Sequence, residues 1–427
     1  MKWVRRLLLV LLVLGMVTTV APANAAKWQP KPGATFNVPR AGDKQYRIHE
    51  QIVGAINHAR KGTYIKIAVF SFDRKNIAQA LVRAHKRGVR VQVLLNNHQV
   101  TPAQKLLHRA LGKNRWKKSF AYECSNGCRS HGENLHTKMY LFTHTGSARD
   151  VVMTGSANLT KNSAVNQYND IYIRNNSPAF YRGFNELFGQ MRKDKSQGYW
   201  STKIAKGILL QATPYRNFGP KHDPIITMLN QVKCKGAIKG YGTRDHRTIV
   251  RVVMHAWNEY RGLYLAQKIR SLFAQGCDVK LMYGFAGESV RNTFATKTPR
   301  GYIPVHTTGY DTNEDEFIDL YTHQKELLIS GNYGKKRGTK MVVTGSSNWN
   351  PEGLKGDEEI LSMKLDGAYK QYANNFQFMW ANKSHLVKYI PYPSTTDKSA
   401  LASLQRLFAT VQEESIPKRG GPAWEND

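Results

Sequence analysis

The chain has 427 residues, enough for two or three domains with substantial cores, and 63 Lys and Arg against 30 Asp and Glu give a formal net charge of +33. A field of that sign draws in polyanions (nucleic acid, anionic lipid or acidic wall polymers) and does not choose among them. Charge alone is also compatible with mere solubility.

Residues 1–25 read as a secretory signal: Lys2, Arg5 and Arg6 form a basic end, Leu7 to Leu14 an apolar stretch, and Ala23-Asn24-Ala25 a small-residue cleavage site. The apolar part is too short for a good membrane span, and no later stretch is long and apolar enough for one. Cleavage before Ala26 and release outside the cell are expected. Residues 26–45 carry Pro30, Pro32, Gly33, Pro39 and Gly42 and read as an extended arm. Residues 46–61 show helical spacing through Ile48, Ile52, Val53 and Ile56, with Gly62 as the stop. A strand over 64–70, a helix over 76–87 ended by Gly88, a strand over 89–95 and a helix over 102–111 follow, which is the alternation of an α/β layer with a largely parallel sheet. Residues 180–191 read as a helix that ends a first lobe.

The polar run 193–207 sets a boundary near residue 205, giving lobes over 26–205 and 206–390 and a linker, short helix (398–411) and tail over 391–427. In the second lobe the pattern predicts a helix over 223–232, a strand over 236–241, a helix ending at Gly276 and a strand over 278–283. Four cysteines suit an oxidising compartment. Four allow three connectivities; Ser125-Asn126-Gly127 is a natural tight turn that favours Cys124–Cys128, leaving Cys234–Cys277. A zinc site drawn from Cys124, Cys128, His131 and His136 is disfavoured, because thiols outside the cell oxidise. Asp311, Glu314, Asp315 and Glu316 form an acidic cluster read as an exposed loop, and 331–338 a basic hairpin tip.

One stretch occurs twice. The first copy carries His136-Thr137-Lys138, an apolar run and Gly155-Ser156-Ala157-Asn158; the second carries His323-Gln324-Lys325, an apolar run and Gly345-Ser346-Ser347-Asn348. The apolar runs read as strands, on which residues two apart share a face. His136 therefore projects with Lys138, and His323 with Lys325. An imidazole attacks phosphorus or moves protons near neutral pH, and an ammonium holds a phosphoryl oxygen. Two such pairs facing one another supply a nucleophile, a general acid and two cations around one phosphate, a chemistry that needs no metal or other cofactor. The long-period repeat marks two related domains.

This doubled pattern resembles the phospholipase D superfamily, whose motif is His-x-Lys-(x)4-Asp followed by Gly-Ser-x-Asn, and the resemblance runs from about Tyr46 to about Trp380. It implies an α/β fold of two related phospholipase D-type sandwich lobes with one active site where they meet. It also implies a covalent phosphohistidine on His136, His323 as the acid that protonates the leaving alcohol, and Lys138 and Lys325 as phosphate clamps with Asn158 and Asn348 beside them. An acidic residue after Gly-Ser-x-Asn is implied to orient a histidine ring; Asp170 fits the first copy and Glu358 or Glu359 the second. The motif Asp is absent from both copies, where Thr143 and Ser330 stand. Trp349 is expected either to wall the site or to pack in the core.

Three functions follow as expectations. The first is a secreted phosphoric diester hydrolase of phospholipase D type acting on phospholipid head groups, with peripheral contact to a membrane surface and a monomeric chain. The second is an extracellular metal-independent nuclease, favoured by the charge. The third, motivated by the missing Asp, is an inactive polyanion-binding homologue.

Overall fold

The structure, a computed structural model, describes residues 28–387 apart from 216, 218 and 316. The expected signal over 1–25 and the helix over 398–411 lie outside the described residues, as does Glu316. In the first half the strands are β1 (Gly33–Phe36), β2 (Tyr64–Val69), β3 (Arg90–Asn96), β4 (Phe120–Cys124), β5 (Met139–Thr145), β6 (Ala148–Gly155), β7 (Gln167–Tyr168) and β8 (Asp170–Arg174). Among the described residues all but β7 form a seven-stranded sheet in the order β1-β8-β6-β5-β2-β3-β4, with β2, β3 and β4 parallel. The second half contributes β9 (Trp200–Ala205), β10 (Ile208–Ala212), β11 (Val232–Lys233), β12 (Ile249–Trp257), β13 (Asp278–Ala286), β14 (Val305–Thr307), β15 (Tyr321–Thr322), β16 (Lys325–Tyr333), β17 (Lys336–Gly345), β18 (Glu359–Met363) and β19 (His385–Leu386). Its sheet contains the same order, β10-β18-β17-β16-β12-β13-β14, with β9 added at one edge and β19 at the other.

The period-2 alternation of the parallel strands builds three cores from two sheets. Ile65, Ile67 and Val69 of β2 face outward against Ile52, Leu81 and Leu107 of helices Arg47–Asn57, Lys75–Lys86 and Pro102–Leu111, while Ala68 faces inward. In β12, Val250, Val252 and Met254 face an outer core with Leu265 and Ile269 of helix Glu259–Ala274, and Val253 faces inward. The inward residues of both sheets share a middle core with Phe184 and Leu187 of helix Pro178–Arg192 and Tyr372 and Phe376 of helix Asp366–Asn382. Each large apolar side chain buried there contributes about 1.5–3 kcal/mol, so the two lobes are held by one continuous apolar layer. Helix Asp366–Asn382 also reaches the first sheet, where Gln371 Oε1 accepts from Ala34 N at 2.8 Å.

Several local expectations need correction. Residues 236–241 form no strand: 236–238 are irregular and 239–240 a turn, with Gly236 and Gly240 at φ +81° and +86°, values that an extended ladder does not accommodate; the strand equivalent to β2 is β12. The opening helix ends at Asn57 rather than at residue 61. The polar run 193–207 contains β9, which with β10 makes a hairpin that pairs with β18 of the second sheet. The cysteines form the expected bridges, Cys124–Cys128 and Cys234–Cys277.

Candidate active site

The two His-x-Lys segments lead into the equivalent strands β5 and β16, and each is stitched to the opposite lobe. His136 N and Thr137 N donate to Asp357 O at 3.1 and 2.8 Å, just ahead of β18. In the other half β15 pairs with β7, and His323 N donates to Tyr168 O at 2.9 Å, just ahead of β8. The Gly-Ser-x-Asn turns close against the same segments. A Cβ on Gly155 would lie 2.4 Å from Asp170 O, and one on Gly345 2.1 Å from Glu359 O, so only glycine fits either place. Asn158 Oδ1 accepts from Ser71 N, and Asn348 Oδ1 from Ala256 N, both at 3.3 Å, which ties each turn to the strand end beside it. Behind the first turn His49 Nε2 meets Asn158 O at 3.0 Å, and burial lowers that imidazole to about 4. Behind the second, buried Arg261 donates to Asn348 O and is paired with Asp223 at 2.8 Å.

In the first half-site, Glu358 crosses from the second lobe and sets both carboxylate oxygens 2.8 Å from His136 Nδ1. A carboxylate there holds the proton on Nδ1 and presents Nε2 as the reactive nitrogen. Burial alone would raise the Glu358 carboxyl, but His136, Lys138 and Ser346 together hold it below its ordinary value. Glu359 behaves oppositely: burial and the Glu358 charge push it up to about 7, against the pull of Lys138. Ser346 Oγ lies in hydrogen-bond contact with both carboxyls, 2.9 Å from Glu359 Oε2. One hydroxyl proton serves one acceptor. Ser346 Oγ in turn accepts from Glu359 N at 3.0 Å, so the hydroxyl is held between the two glutamates while Glu358 accepts from His136. Lys138 is fully buried, its Nζ 5.4 Å from the Phe70 ring centre, and Nζ makes no hydrogen bond to a described residue.

In the second half-site His323 Nδ1 lies 3.0 Å from Ser156 O and 3.0 Å from Asn169 Oδ1. Both are acceptors, so Nδ1 carries hydrogen here as well. Asp170, expected to orient a ring, instead accepts from Thr344 Oγ1 at 2.7 Å and Tyr372 OH at 2.8 Å; it points to the β17 and helix side of its strand. Of the two candidate glutamates, Glu358 is the one on a histidine, and that histidine belongs to the first copy. Lys325 Nζ donates to His323 O at 2.9 Å and lies 3.2 Å from its Nε2. His255, at the end of β12, lies against His323 with ring centres 4.6 Å apart.

The positions of the missing motif Asp are remote from this chemistry. Thr143 is near the far end of β5, where its hydroxyl accepts from Tyr64 N at 2.8 Å, and Ser330 Oγ accepts from Gly242 N at 3.2 Å. Both residues keep an oxygen acceptor for a backbone N–H, which is a structural task. Trp349 is buried edge-on against Trp257 and belongs to the core. In the acidic loop, Asp311 Oδ1 accepts from the backbone of Asn313 and Asp315, closing a turn. Cys124 and Cys128 are used in their disulfide, so the zinc set drawn on paper does not form.

Residue-level reading missed Asn169, Ser346 and His255. The signal for Asn169 was present: Asn169-Asp170-Ile171 runs level with Glu358-Glu359-Ile360, because Ile171 pairs Gly155 as Ile360 pairs Gly345. Counting from the glycine misleads by one residue, since the second loop is one residue shorter.

Comparison with known proteins agrees with the fold. Residues 52–192 match the family described as "Cardiolipin synthase, PLD-like domain". Polyphosphate kinase from Porphyromonas gingivalis shares the fold with a TM-score of 0.55 at 13% identity, over 90% of this chain and 56% of that one. Phosphatidylserine synthase from Haemophilus influenzae Rd KW20 does so with a TM-score of 0.53 at 11% identity, over 90% of this chain and 95% of that one. The chain thus spans little more than half the length of the kinase. Among curated proteins none matches.

Proposed function

We propose that this chain, a member of the phospholipase D superfamily of phosphodiesterases, is a secreted enzyme that hydrolyses phospholipid head groups through a covalent phosphohistidine. The observation that carries the reading is the pair of His–Lys sets buried at the lobe interface, with Glu358 of one lobe on His136 of the other. His136 Nε2 attacks phosphorus and the P–O bond to the head-group alcohol breaks; His323 gives that oxygen its proton. His323 then takes a proton from water, whose oxygen displaces His136 and releases phosphatidate. Phosphorylation at Nε2 makes the imidazole ring cationic, and Glu358 on Nδ1–H stabilises that charge. Lys138 Nζ, buried without a hydrogen-bond partner among the described residues, is the kind of group that a phosphoryl oxygen satisfies. The lipid name of the matching family supports this substrate class. A signal-like leader supports release from the cell.

A nuclease with the same chemistry is the second reading, and the net charge of +33 favours it. The deciding experiment is head-group release from mixed phospholipid vesicles in excess EDTA, with His136→Ala alongside. Release by the wild type alone is expected. No release by either protein, with cleavage of DNA or RNA by the wild type, would replace lipid by nucleic acid. No turnover on any of these, with polyanion binding retained by His136→Ala, would make the chain a binder.

A further inference from the structure

We infer that Asn169 is the positioning residue that divides labour between the two histidines: a neutral amide where the other half-site has the Glu358 carboxylate makes His323 the proton-transfer group and leaves covalent chemistry to His136. The inference rests on the phosphohistidine reading above and adds what separates its two halves. The strand registers set Asn169 level with Glu358, and both cross to the opposite lobe to meet a histidine Nδ1, at 3.0 and 2.8 Å. The amide cannot turn its nitrogen to the ring at no cost. Asn169 Nδ2 donates to Ser163 O at 2.9 Å, Asn169 N donates to Asn37 Oδ1 at 2.7 Å, and Ser156 Oγ donates to Asn169 Oδ1 at 2.9 Å. The oxygen is therefore locked toward His323.

The chemical need differs between the halves. A nucleophile that becomes a phosphorylated cation gains from a fixed negative charge at Nδ1. A group that must give a proton and take it back gains from an acceptor that orients the ring without holding the imidazolium too tightly. The groups around His323 act in the same sense. Lys325 on β16 lies 3.2 Å from Nε2, and His255 on β12 packs on the ring, itself stacked on Tyr321 of β15. The Lys325 ammonium opposes a further positive charge on the ring. Asp170 on β8 interacts with Lys325, and Glu326 on β16 with Asp170.

The test is Asn169→Asp in the full chain, followed by the pH dependence of kcat/KM on a soluble short-chain phospholipid. A carboxylate favours the protonated ring, so the alkaline limb should move up by about one unit or more while the acidic limb stays. An unmoved alkaline limb, or movement of the acidic limb instead, would overturn the inference. Histidine ring NMR on wild type and variant, with His323 assigned by its loss in His323→Ala, reads the same shift without turnover. A raised His323 midpoint with no hydrolysis by the wild type would keep Asn169's hold on the ring and defeat the phosphodiesterase reading; an unmoved midpoint would defeat the role of Asn169. Should the aspartate oxygen facing Ser163 O prevent folding, Glu358→Gln gives the reciprocal result. Its acidic limb should move down with the alkaline limb unmoved, and the opposite pattern would overturn the assignment.

Discussion

His136 and His323 meet different surroundings, so their removal should leave different traces. His136→Ala loses the proposed nucleophile and should lower turnover on every phosphodiester by about 10³-fold or more. His323→Ala loses the proposed acid, which an alkyl alcohol needs and a p-nitrophenol does not. We expect His323→Ala to lose a comparable factor on phospholipid yet still release a burst of p-nitrophenol from an aryl phosphodiester, read by stopped-flow absorbance. Near-normal rates in both variants would remove the site assignment altogether. A second residue-scale prediction concerns Glu326. It is fully buried, neither carboxylate oxygen has a hydrogen-bond partner among the described residues, and burial with the nearby Asp170 raises its carboxyl well above the ordinary value. Its counterpart is Met139, since Glu326 pairs Val253 as Met139 pairs Ala68. A carboxyl raised in the folded state contributes stability below its unfolded value of 4.5, and that contribution is lost as pH rises through the folded value. Glu326→Met should therefore stabilise the protein by about 1–3 kcal/mol, with a larger gain at pH 8 than at pH 5, as read by calorimetry. A loss at pH 8 would show that the Glu326 carboxyl stabilises the fold through a partner and would overturn this reading.

At the scale of elements, the two disulfides should have separable effects. Cys234 and Cys277 are 43 residues apart and Cys124 and Cys128 four, so loop-closure entropy gives about 4 against about 2 kcal/mol. The shorter bridge has a second task. The backbone N–H groups of Cys128 and Arg129 donate to the Asp357 carboxylate at 2.5 and 3.0 Å, and Asp357 O accepts from His136 N. Replacing Cys234 and Cys277 by Ala should cost melting temperature and little kcat; replacing Cys124 and Cys128 should cost less melting temperature and more kcat. The reverse pattern would separate the Cys124–Cys128 loop from the site. These bridges were legible because Ser125-Asn126-Gly127 can hardly form anything but a tight turn. The outer helices were legible from one apolar face at helical period, and β2, β3 and β13 as short apolar runs that are buried on both faces. The strand placed at 236–241 failed because Ala237 and Ile238 look like a strand locally, while Gly236 and Gly240 sit at positive φ that no local pattern reveals.

At the scale of the molecule, what the sequence concealed is the crossing of partners. Period and motif find His136, Lys138, His323 and Lys325, but Glu358 reaches His136 across 222 residues and Asn169 reaches His323 across 154, contacts set by how two sheets pack on the middle core. Local reading assigned each acid to its own copy and chose Asp170, one residue from the amide that makes the contact. The charge, by contrast, is a property of the whole chain that sequence reads directly and geometry hardly changes. With a formal net charge of +33 over the full chain, or +30 once Lys2, Arg5 and Arg6 leave with the signal (33 − 3), attachment to an anionic surface should be electrostatic and separate from chemistry. We expect His136→Ala to co-sediment with phosphatidylglycerol-containing vesicles as the wild type does. Raising salt from about 50 to about 200 mM should weaken that binding by an order of magnitude or more, because screening shortens to about 7–10 Å and released counterions lose their advantage. Binding that ignores salt would mean that apolar insertion holds the protein on the surface. The exposed rings of Trp116, Tyr199 and Tyr260 would then be the first residues to replace, since an amphipathic aromatic is the side chain that gains most at a lipid–water boundary.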